Sequence, residues 1–293
     1  MMKFKNKLLS NDFIVTAELF PPKGTDISVL LEKADILSKA VDAINITDNQ
    51  RASMRVGSLA ICKLLKDKGY ETILQMTCRD RNRIALQSDL LSASVLGLEN
   101  ILILSGDHTS AGEYAGTKSV YDLDTIQLIK TARLLETGVD LAGKKLKGSP
   151  SFCLGAVANP TASPIDLQIL MLEKKINSGI EFVQTQTVFD IVQFKTFFDK
   201  IKSVSTNKNI KILPGVTVIK SVSFMEFLKK LPGVNIPQNI QDRIISAKNP
   251  FEEGIQICSE TIRELGNFAD GVHIMAIGIE ENIPDILKKS GKL

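Results

Sequence analysis

Short runs of apolar and β-branched residues recur along the chain, and amphipathic helical patterns fill the spaces between them. The first four runs begin about 28 residues apart. The eight predicted strands are 14–19, 43–46, 71–76, 100–104, 151–156, 182–185, 211–215 and 271–275. Between the first two, Leu30, Ala34 and Leu37 recur at helical spacing. Regular alternation of apolar strands with helices predicts a parallel sheet that helices cover.

Eight strand–helix units predict a single-domain (β/α)8 TIM barrel over residues 1–293. An open doubly wound sheet is the alternative, although the Gly-x-Gly-x-x-Gly that often follows its first strand is missing. Gly69, Gly97 and Gly179 stand where helices should end, because glycine accepts the left-handed conformation that closes a helix. The polar stretch 137–149 is predicted to be a loop between the fourth barrel helix and the fifth strand.

Composition argues against several classes of protein. The 36 Lys and Arg residues nearly balance 33 Asp and Glu residues, which is unlike a nucleic-acid binder. No apolar run approaches the roughly 20 residues of a membrane span, and the N-terminus lacks a secretory signal. Four scattered cysteines and two histidines predict no metal site. We therefore expect a cytoplasmic protein with buried, reduced thiols that binds neither nucleic acid nor a membrane.

The carboxyl ends of the strands are the expected site, because barrels of this type build their active sites there. Glu18 ends the first strand beside Phe20, Pro21 and Pro22. Apolar neighbours favour the protonated form of a carboxyl group, which suits a general acid. A salt-bridged glutamate at a strand end is the alternative interpretation of Glu18.

Other strand ends carry weaker signals. Asp107 follows Gly106 after the fourth strand, where glycine permits close approach of a ligand and the aspartate supplies a negative charge. His108 is predicted to be an exposed loop residue. Gln186 either holds the edge of a heterocycle or is a satisfied structural amide, and His273 is predicted to be structural.

Three motifs together resemble the methylenetetrahydrofolate reductase family. They are Glu18-Leu19-Phe20-Pro21-Pro22-Lys23, Ser105-Gly106-Asp107 and Thr185-Gln186-x-x-Phe189-Asp190. The resemblance extends over about residues 13–275 in the same order. It implies a flavin-bearing (β/α)8 barrel that reduces 5,10-methylenetetrahydrofolate to 5-methyltetrahydrofolate. In that reaction Glu18 would protonate the departing nitrogen as the five-membered ring opens, and Asp107 would meet the pterin and tune the flavin.

The resemblance also implies the ligand contacts. Asp107, Gln186 and Phe224 correspond to folate contacts. The residues expected to line the flavin are Thr47, Asp48, Gln75, Ser105, Gly106, Asp107, Tyr121, Asn159, Gln168 and Lys175. FAD is the implied cofactor, and FMN is the alternative. FMN stays open because Gln75, Ser105, Asn159 and Gln168 replace the His, Arg, His and acidic residues that the family often has.

Two stretches look like the short form of this family found in acetogen-like bacteria. They are 106–124, with Val120-Tyr121-Asp122-Leu123-Asp124 at its end, and 273–277. That form implies an oligomer with a companion subunit, often containing zinc, and either NADH or a partner-delivered reductant as the electron donor. The family's usual Leu-Asn-Arg is replaced near 277–279. Two other hypotheses remain: a pterin-binding methyltransferase barrel without flavin, and a non-catalytic subunit that docks folate or a partner.

Overall fold

Eight parallel strands form a closed barrel in the computed structural model, which describes residues 3–205, 209–231 and 233–293. The strands are β1 (Ile14–Leu19), β2 (Ala43–Ile46), β3 (Thr72–Thr77), β4 (Asn100–Leu104), β5 (Cys153–Ala158), β6 (Phe182–Thr187), β7 (Lys211–Val216) and β8 (Gly271–Ile274). Each strand pairs with the next, and β8 pairs with β1. The (β/α)8 prediction is therefore confirmed, and the open sheet is excluded because its edge strands would not pair.

Helices alternate with the strands and surround them. They are α1 (Phe4–Leu9), α2 (Ser28–Leu37), α3 (Ser58–Asp67), α4 (Arg83–Val95), α5 (Thr125–Glu136), α6 (Ile165–Ser178), α7 (Ile191–Val204), α8 (Val222–Lys229), α9 (Gln238–Ser246), α10 (Pro250–Leu265) and α11 (Ile283–Ser290). As predicted, glycines end three of them: Gly69 follows α3 with φ +86°, Gly97 follows α4 with φ +74°, and Gly179 caps α6 with φ +109°. The polar stretch 137–149 is a loop between α5 and β5, also as predicted.

Hydrogen bonding to neighbouring strands shifts several strand boundaries from those predicted. The predictions for β1, β2 and β4 agree with the structure, and the other five differ by one or two residues at an end. Strand β5 begins at Cys153, because Cys153 N donates to Glu99 O at 2.8 Å. The preceding amide, Phe152 N, donates instead to the Glu136 side chain at 2.6 Å and therefore lies outside the ladder.

Helix α1 closes the amino end of the barrel. Phe4 is fully buried, and its ring meets the Phe182 ring edge-on at 5.2 Å. Gly155 leaves room for that ring, since a Cβ at this position would lie 2.3 Å from Phe182 Cζ. Ile14 and Leu213 belong to the same interior cluster. This end of the barrel is thus filled by apolar side chains.

The four cysteines are buried free thiols, as the sequence predicted. Burial raises the pKa of Cys62, Cys78 and Cys258 to about 12. Burial raises the pKa of Cys153 as well. These groups stay protonated and unreactive at neutral pH.

Candidate functional site

Inward-facing residues change from apolar to polar along β1 and β6. On β1 the inward positions in order are Ile14, Thr16 and Glu18, and on β6 they are Phe182, Gln184 and Gln186. The first of each set belongs to the apolar cluster at the amino end, and the last lines a cavity at the carboxyl end. The barrel interior is therefore apolar at its amino end and carries a polar site at its carboxyl end.

A cavity of about 200 Å³ occupies the carboxyl end of the barrel. Seven residues predicted for the site line it: Glu18, Asp48, Gln75, Ser105, Gly106, Asp107 and Gln186. Other polar lining residues, none assigned to the site from the sequence, are Gln50, Thr77, Arg79, Gln184, Thr185 and His273. Residues far apart in sequence thus meet, as expected when the carboxyl ends of parallel strands converge.

Three predicted flavin residues lie just behind the cavity wall. The Thr47 hydroxyl donates to the Gln50 side chain. Tyr121 Oη donates to the Gly106 carbonyl at 3.3 Å. Lys175 Nζ donates to the Val157 carbonyl at 2.7 Å. Each of the three acceptors belongs to a residue that lines the cavity.

The other predicted ligand residues lie farther around the rim. Asn159 Oδ1 accepts hydrogen bonds from Thr161 N at 3.2 Å and Thr161 Oγ1 at 3.0 Å. Gln168 is half-buried on α6. Phe224 lies on α8 and stacks on Phe227, with ring centroids 5.9 Å apart. The cavity as it stands therefore brings together seven of the thirteen predicted site residues.

The Glu18 carboxylate is held through one of its oxygens. Oε1 accepts from Gln75 Nε2 at 3.0 Å and lies 3.3 Å from His273 Nε2. Within the described residues, His273 is the only basic side chain at ion-pair distance from Glu18, so the structure offers no Lys or Arg for the alternative salt-bridge interpretation. The sequence predicted only a structural role for His273. Because β8 pairs with β1, the imidazole also lies in the cavity wall.

A buried hydrogen-bond chain beneath the cavity sets the tautomer of His273. Gln184 and Asn45 exchange bonds of 2.7 and 3.1 Å, and Gln184 Nε2 uses its second hydrogen on Thr16 Oγ1 at 3.0 Å. The Thr16 hydroxyl lies 2.9 Å from His273 Nδ1 and 3.5 Å from the Val272 carbonyl, and the shorter distance favours donation to Nδ1. A neutral imidazole that accepts at Nδ1 carries its proton on Nε2. His273 Nε2 then carries a proton and lies 3.3 Å from Glu18 Oε1.

Asp48 lines the cavity but is engaged with the protein. Its Oδ2 accepts from Thr77 N at 2.9 Å, from Thr77 Oγ1 at 3.0 Å and from Arg81 Nη2. Arg81 Nη1 also donates to Asp89 Oδ2 at 2.9 Å. Asp48 therefore ties the end of β2 to the end of β3, which is a structural role that the sequence did not indicate.

A side chain at Gly106 would be strained. Its φ is +82°, and a Cβ would lie 3.1 Å from Thr77 and 3.2 Å from Arg79 Nη1. The bare backbone at this point lets a flat ligand approach the end of β4 closely. Asp107 follows, and its Oδ2 accepts from Arg51 N at 2.8 Å, which fixes the carboxylate at the cavity edge.

Arg79 is a buried cation that sequence reasoning missed. The side chain is 1% exposed and donates two bonds of 2.7 Å to the Asp80 carboxylate. It also donates to the backbone oxygens of Asn49 and Asp107. Arg79 lines both the main cavity and a neighbouring cavity of about 140 Å³. The Arg79-Asp80-Arg81 run directly after an apolar strand was the available signal.

Lys175 is a second cation in an apolar setting. Burial lowers the pKa of its ammonium group. Within the described parts of the chain no carboxylate pairs with it, and the carbonyl of Val157 is its hydrogen-bond acceptor. A half-buried ammonium group without a counter-ion is costly, so this position suits an anionic part of a ligand.

Neither a metal centre nor a membrane span is visible in residues 3–205, 209–231 and 233–293. No three His, Cys, Asp or Glu side chains there are grouped to hold a metal ion. No helix there combines the length and the apolar character that crossing a membrane requires. His108 is exposed, as predicted, and its Nδ1 lies 2.8 Å from Ser110 Oγ.

Comparison with solved structures supports the fold. An uncharacterized protein from Clostridium thermocellum that binds two copies of 5-methyl-5,6,7,8-tetrahydrofolic acid has a TM-score of 0.69 at 20% identity, with 98% of each chain covered. Tryptophan synthase from M. tuberculosis has a TM-score of 0.55 at 12% identity, covering 99% of this chain and 94% of that one. At such identities the likeness shows a shared barrel.

Comparison of sequences shows the family. Methylenetetrahydrofolate reductase 1 of Schizosaccharomyces pombe is 25% identical over 315 residues, covering 100% of this chain and 49% of that protein. A probable methylenetetrahydrofolate reductase (NADPH) of Caenorhabditis elegans is 26% identical, covering 94% of this chain and 42% of that protein. The 5,10-methylenetetrahydrofolate reductase of Pectobacterium carotovorum is 25% identical, covering 69% and 63%. The chain thus spans about half the length of the first two relatives. The model of the family named methylenetetrahydrofolate reductase matches residues 3–291, and this chain therefore belongs to that family.

Proposed function

We propose that residues 1–293 form one flavin-binding catalytic barrel that reduces 5,10-methylenetetrahydrofolate to 5-methyltetrahydrofolate. The observation that carries the proposal is the Glu18 carboxyl group, fixed at the cavity wall by Gln75 and His273. Membership of the family and the folate bound by the Clostridium protein of the same fold both support it.

The residues around the ends of β4 and β5 suit a flavin, FAD or FMN. Gly106 presents bare backbone on which a flat ring can lie, and any side chain there would meet Thr77. Lys175 supplies a half-buried positive charge without a carboxylate partner in the described residues. Gln75 and Ser105 add polar groups to the same wall. When bound, a reduced flavin supplies the hydride that the reaction needs.

Glu18 supplies the proton. Ring opening breaks the bond between the bridging methylene carbon and N10, and the departing nitrogen needs a proton as the N5 iminium forms. Because Gln75 Nε2 donates to Oε1 of Glu18 and His273 Nε2 lies 3.3 Å from the same atom, the acidic proton belongs on Oε2. After transfer, these two neighbours stabilise the carboxylate that remains. One proton and one hydride then account for the two hydrogens gained by the product.

Asp107 and Gln186 hold the substrate in this proposal. The Asp107 carboxylate, fixed by Arg51 N, places a negative charge beside the cavity and stabilises the positive iminium. Gln186 is the exposed residue near the end of β6, and its amide both donates and accepts hydrogen bonds to a pterin edge.

The test is the folate half-reaction, measured without a physiological electron donor. The flavin-loaded protein is photoreduced under anaerobic conditions and mixed with 5,10-methylenetetrahydrofolate, and return of the oxidised flavin spectrum and formation of 5-methyltetrahydrofolate are followed. We expect Glu18→Gln to keep its flavin and to react at least about 10²-fold more slowly, the usual contribution of a general acid. Glu32→Gln, which removes an exposed carboxylate on α2, is the matched control and should react at the wild-type rate.

Three results would contradict the proposal. Unchanged turnover by Glu18→Gln removes Glu18 from the mechanism. A flavin that stays reduced in the wild type points to another substrate. A protein that takes up no flavin but binds methyltetrahydrofolate favours a methyltransferase barrel or a folate-docking subunit.

A further inference from the structure

The loop after β2 presents a side-chain amide to the cavity that the proposed mechanism does not use. Gln50 lines the cavity wall, and the Thr47 hydroxyl donates to its Oε1 atom. Its Nε2 atom carries the two donor hydrogens of the amide. Among residues 3–205, 209–231 and 233–293 no oxygen accepts from Nε2, although Gln50 is half-buried. The amide therefore has donor hydrogens that can bind a ligand in the cavity.

The backbone on both sides of Gln50 is strained. Asn49, Arg51 and Ala52 have φ values of 45°, 56° and 51°, a left-handed conformation that residues with a side chain seldom adopt. Such a conformation persists only where the surrounding structure fixes it, and strain of this kind is concentrated at functional sites. The strain therefore directs attention to what this loop places in the cavity.

Two contacts fix the loop in its conformation. The Asn49 carbonyl accepts from Arg79 Nη2 at 2.9 Å. Ala52 O lies so close to Gly112 that a Cβ on that glycine would be 2.2 Å away. The fold thus holds the backbone of Gln50 in place before any ligand binds, which lowers the entropy cost of binding.

The same loop also fixes the negative charge that the proposed mechanism places beside the substrate. Arg51, the residue after Gln50, donates its backbone N–H to Asp107 Oδ2 at 2.8 Å. Asp107 and Gln50 both line the cavity. An accepting carboxylate and a donating amide therefore lie on neighbouring parts of one wall.

We propose that Gln50 Nε2 donates a hydrogen bond to the C4 carbonyl of the pterin and so selects folates that carry an oxygen at C4. The inference rests on the proposed function, in which Asp107 lies near the positive N5 iminium. In a pterin the C4 carbonyl is attached next to the ring carbon that bears N5, so its oxygen lies on the same side as N5. A carboxylate placed at N5 therefore also faces that oxygen, and the two repel each other. An amide donor beside the carboxylate offsets this repulsion and binds the carbonyl.

The test compares 5-methyltetrahydrofolate with its 4-amino analogue by isothermal titration calorimetry on the flavin-loaded protein. The amino group replaces the acceptor at C4 by a donor and leaves the Gln50 N–H unpaired. We expect the wild type to bind the 4-oxo folate more tightly. Gln50→Met should lower that preference about three- to tenfold, the usual net contribution of one hydrogen bond. Because the preferences of the two proteins are compared, effects of the analogue elsewhere in the site cancel.

A second variant separates the donor from the support of the loop. Gln50→Glu keeps an oxygen that accepts from Thr47, but an ionised carboxylate has no donor hydrogen. The preference for the 4-oxo folate should therefore fall at least as far as in Gln50→Met. Gln256→Met is the matched control, because Gln256 is an exposed glutamine on α10 that donates to Glu260 at 2.7 Å and does not line the cavity. It should keep the wild-type preference.

A flavin also has a carbonyl next to its own N5, and a second measurement separates the two sources. If Gln50→Met shifts the midpoint potential of the bound flavin and leaves the folate preference unchanged, the amide serves the flavin and the assignment is wrong. Equal binding of the two folates by the wild type, or a wild-type preference in Gln50→Glu, would also overturn the assignment and leave the proposed function intact. Failure of the flavin-loaded wild type to bind either folate would contradict the proposed function itself.

Discussion

The buried amide pair under the cavity provides the sharpest prediction. In Gln184→Met the side chain keeps a similar length but loses its hydrogen-bonding groups. Asn45 is 0% exposed and would lose the partner for both its Nδ2 and its Oδ1. Each buried polar atom left unsatisfied costs about 1–3 kcal/mol, so the variant should lose about 2–6 kcal/mol in free energy of unfolding. A barrel whose stability is about 10 kcal/mol, in the middle of the ordinary range, would still fold.

The same variant should also slow the chemistry. Without Gln184 Nε2, the Thr16 hydroxyl is free to turn from His273 Nδ1 toward the Val272 carbonyl, which lies 3.5 Å away. His273 then no longer has a fixed tautomer and holds Glu18 less firmly. We expect the folate half-reaction to fall about tenfold, because small displacements of a catalytic group have effects of this size or larger.

A second substitution separates stability from catalysis. Asn45→Val combined with Gln184→Met replaces both members of the pair by apolar side chains, which should recover most of the lost stability. The hydrogen bond to Thr16 stays absent, so the half-reaction should remain slow. Urea unfolding measures the first quantity, and stopped-flow reoxidation of the photoreduced protein measures the second.

Two results would refute this reasoning. If the free energy of unfolding of Gln184→Met falls by less than about 0.5 kcal/mol, Asn45 must find other hydrogen-bond partners or be in contact with water. Wild-type turnover in the double variant would mean that the direction of the Thr16 hydroxyl has no influence on Glu18.

The remaining predictions concern stability. Phe4→Ala should lower the free energy of unfolding, measured in urea, by about 3–5 kcal/mol, as for other buried phenylalanines. The KM for folate should stay unchanged, because the ring lies at the opposite end of the barrel from the cavity. A changed KM would contradict the separation of the apolar end from the site. The raised thiol pKa values predict that the protein becomes less stable at alkaline pH. The stabilisation that a buried thiol contributes is complete below the pKa of about 8.5 that it has in the unfolded chain. As pH rises from there toward about 12, this stabilisation decreases by about 1.4 kcal/mol per pH unit. Unfolding midpoints from pH 8 to 10 should therefore decrease, less steeply in Cys258→Val than in the wild type, and equal slopes would show that Cys258 ionises as readily in the folded state.

The local pattern of apolar and polar residues determined much of this protein's fold. The eight apolar runs predicted the barrel, and three strands have the predicted boundaries, because buried parallel strands are continuously apolar and short. Knowing the strands also located the site, since the carboxyl ends of parallel strands meet on one face whatever the details of packing. Glu18, Gln75, Asp107 and Gln186 could be grouped for that reason.

The tertiary structure decided how those residues are held. His273 and Glu18 come from the last and first strands, and they meet only because the barrel closes. Asn45 pairs with Gln184 across the barrel interior, 139 residues away. No local period or motif encodes such a pairing, because it depends on barrel closure and on which strand positions point inward.

The same limit applies to the charged residues at the rim. In the sequence Arg79 and Arg51 look like ordinary loop arginines. In the folded chain Arg79 is 1% exposed between two cavities, and Arg51 reaches a ring on α8 from the loop after β2. Their environments come from loops separated in sequence but adjacent in space. The sequence by itself thus determined the barrel and the face on which the candidate site lies, whereas non-local packing decided the orientation of Glu18 and the positions of Arg79 and Arg51.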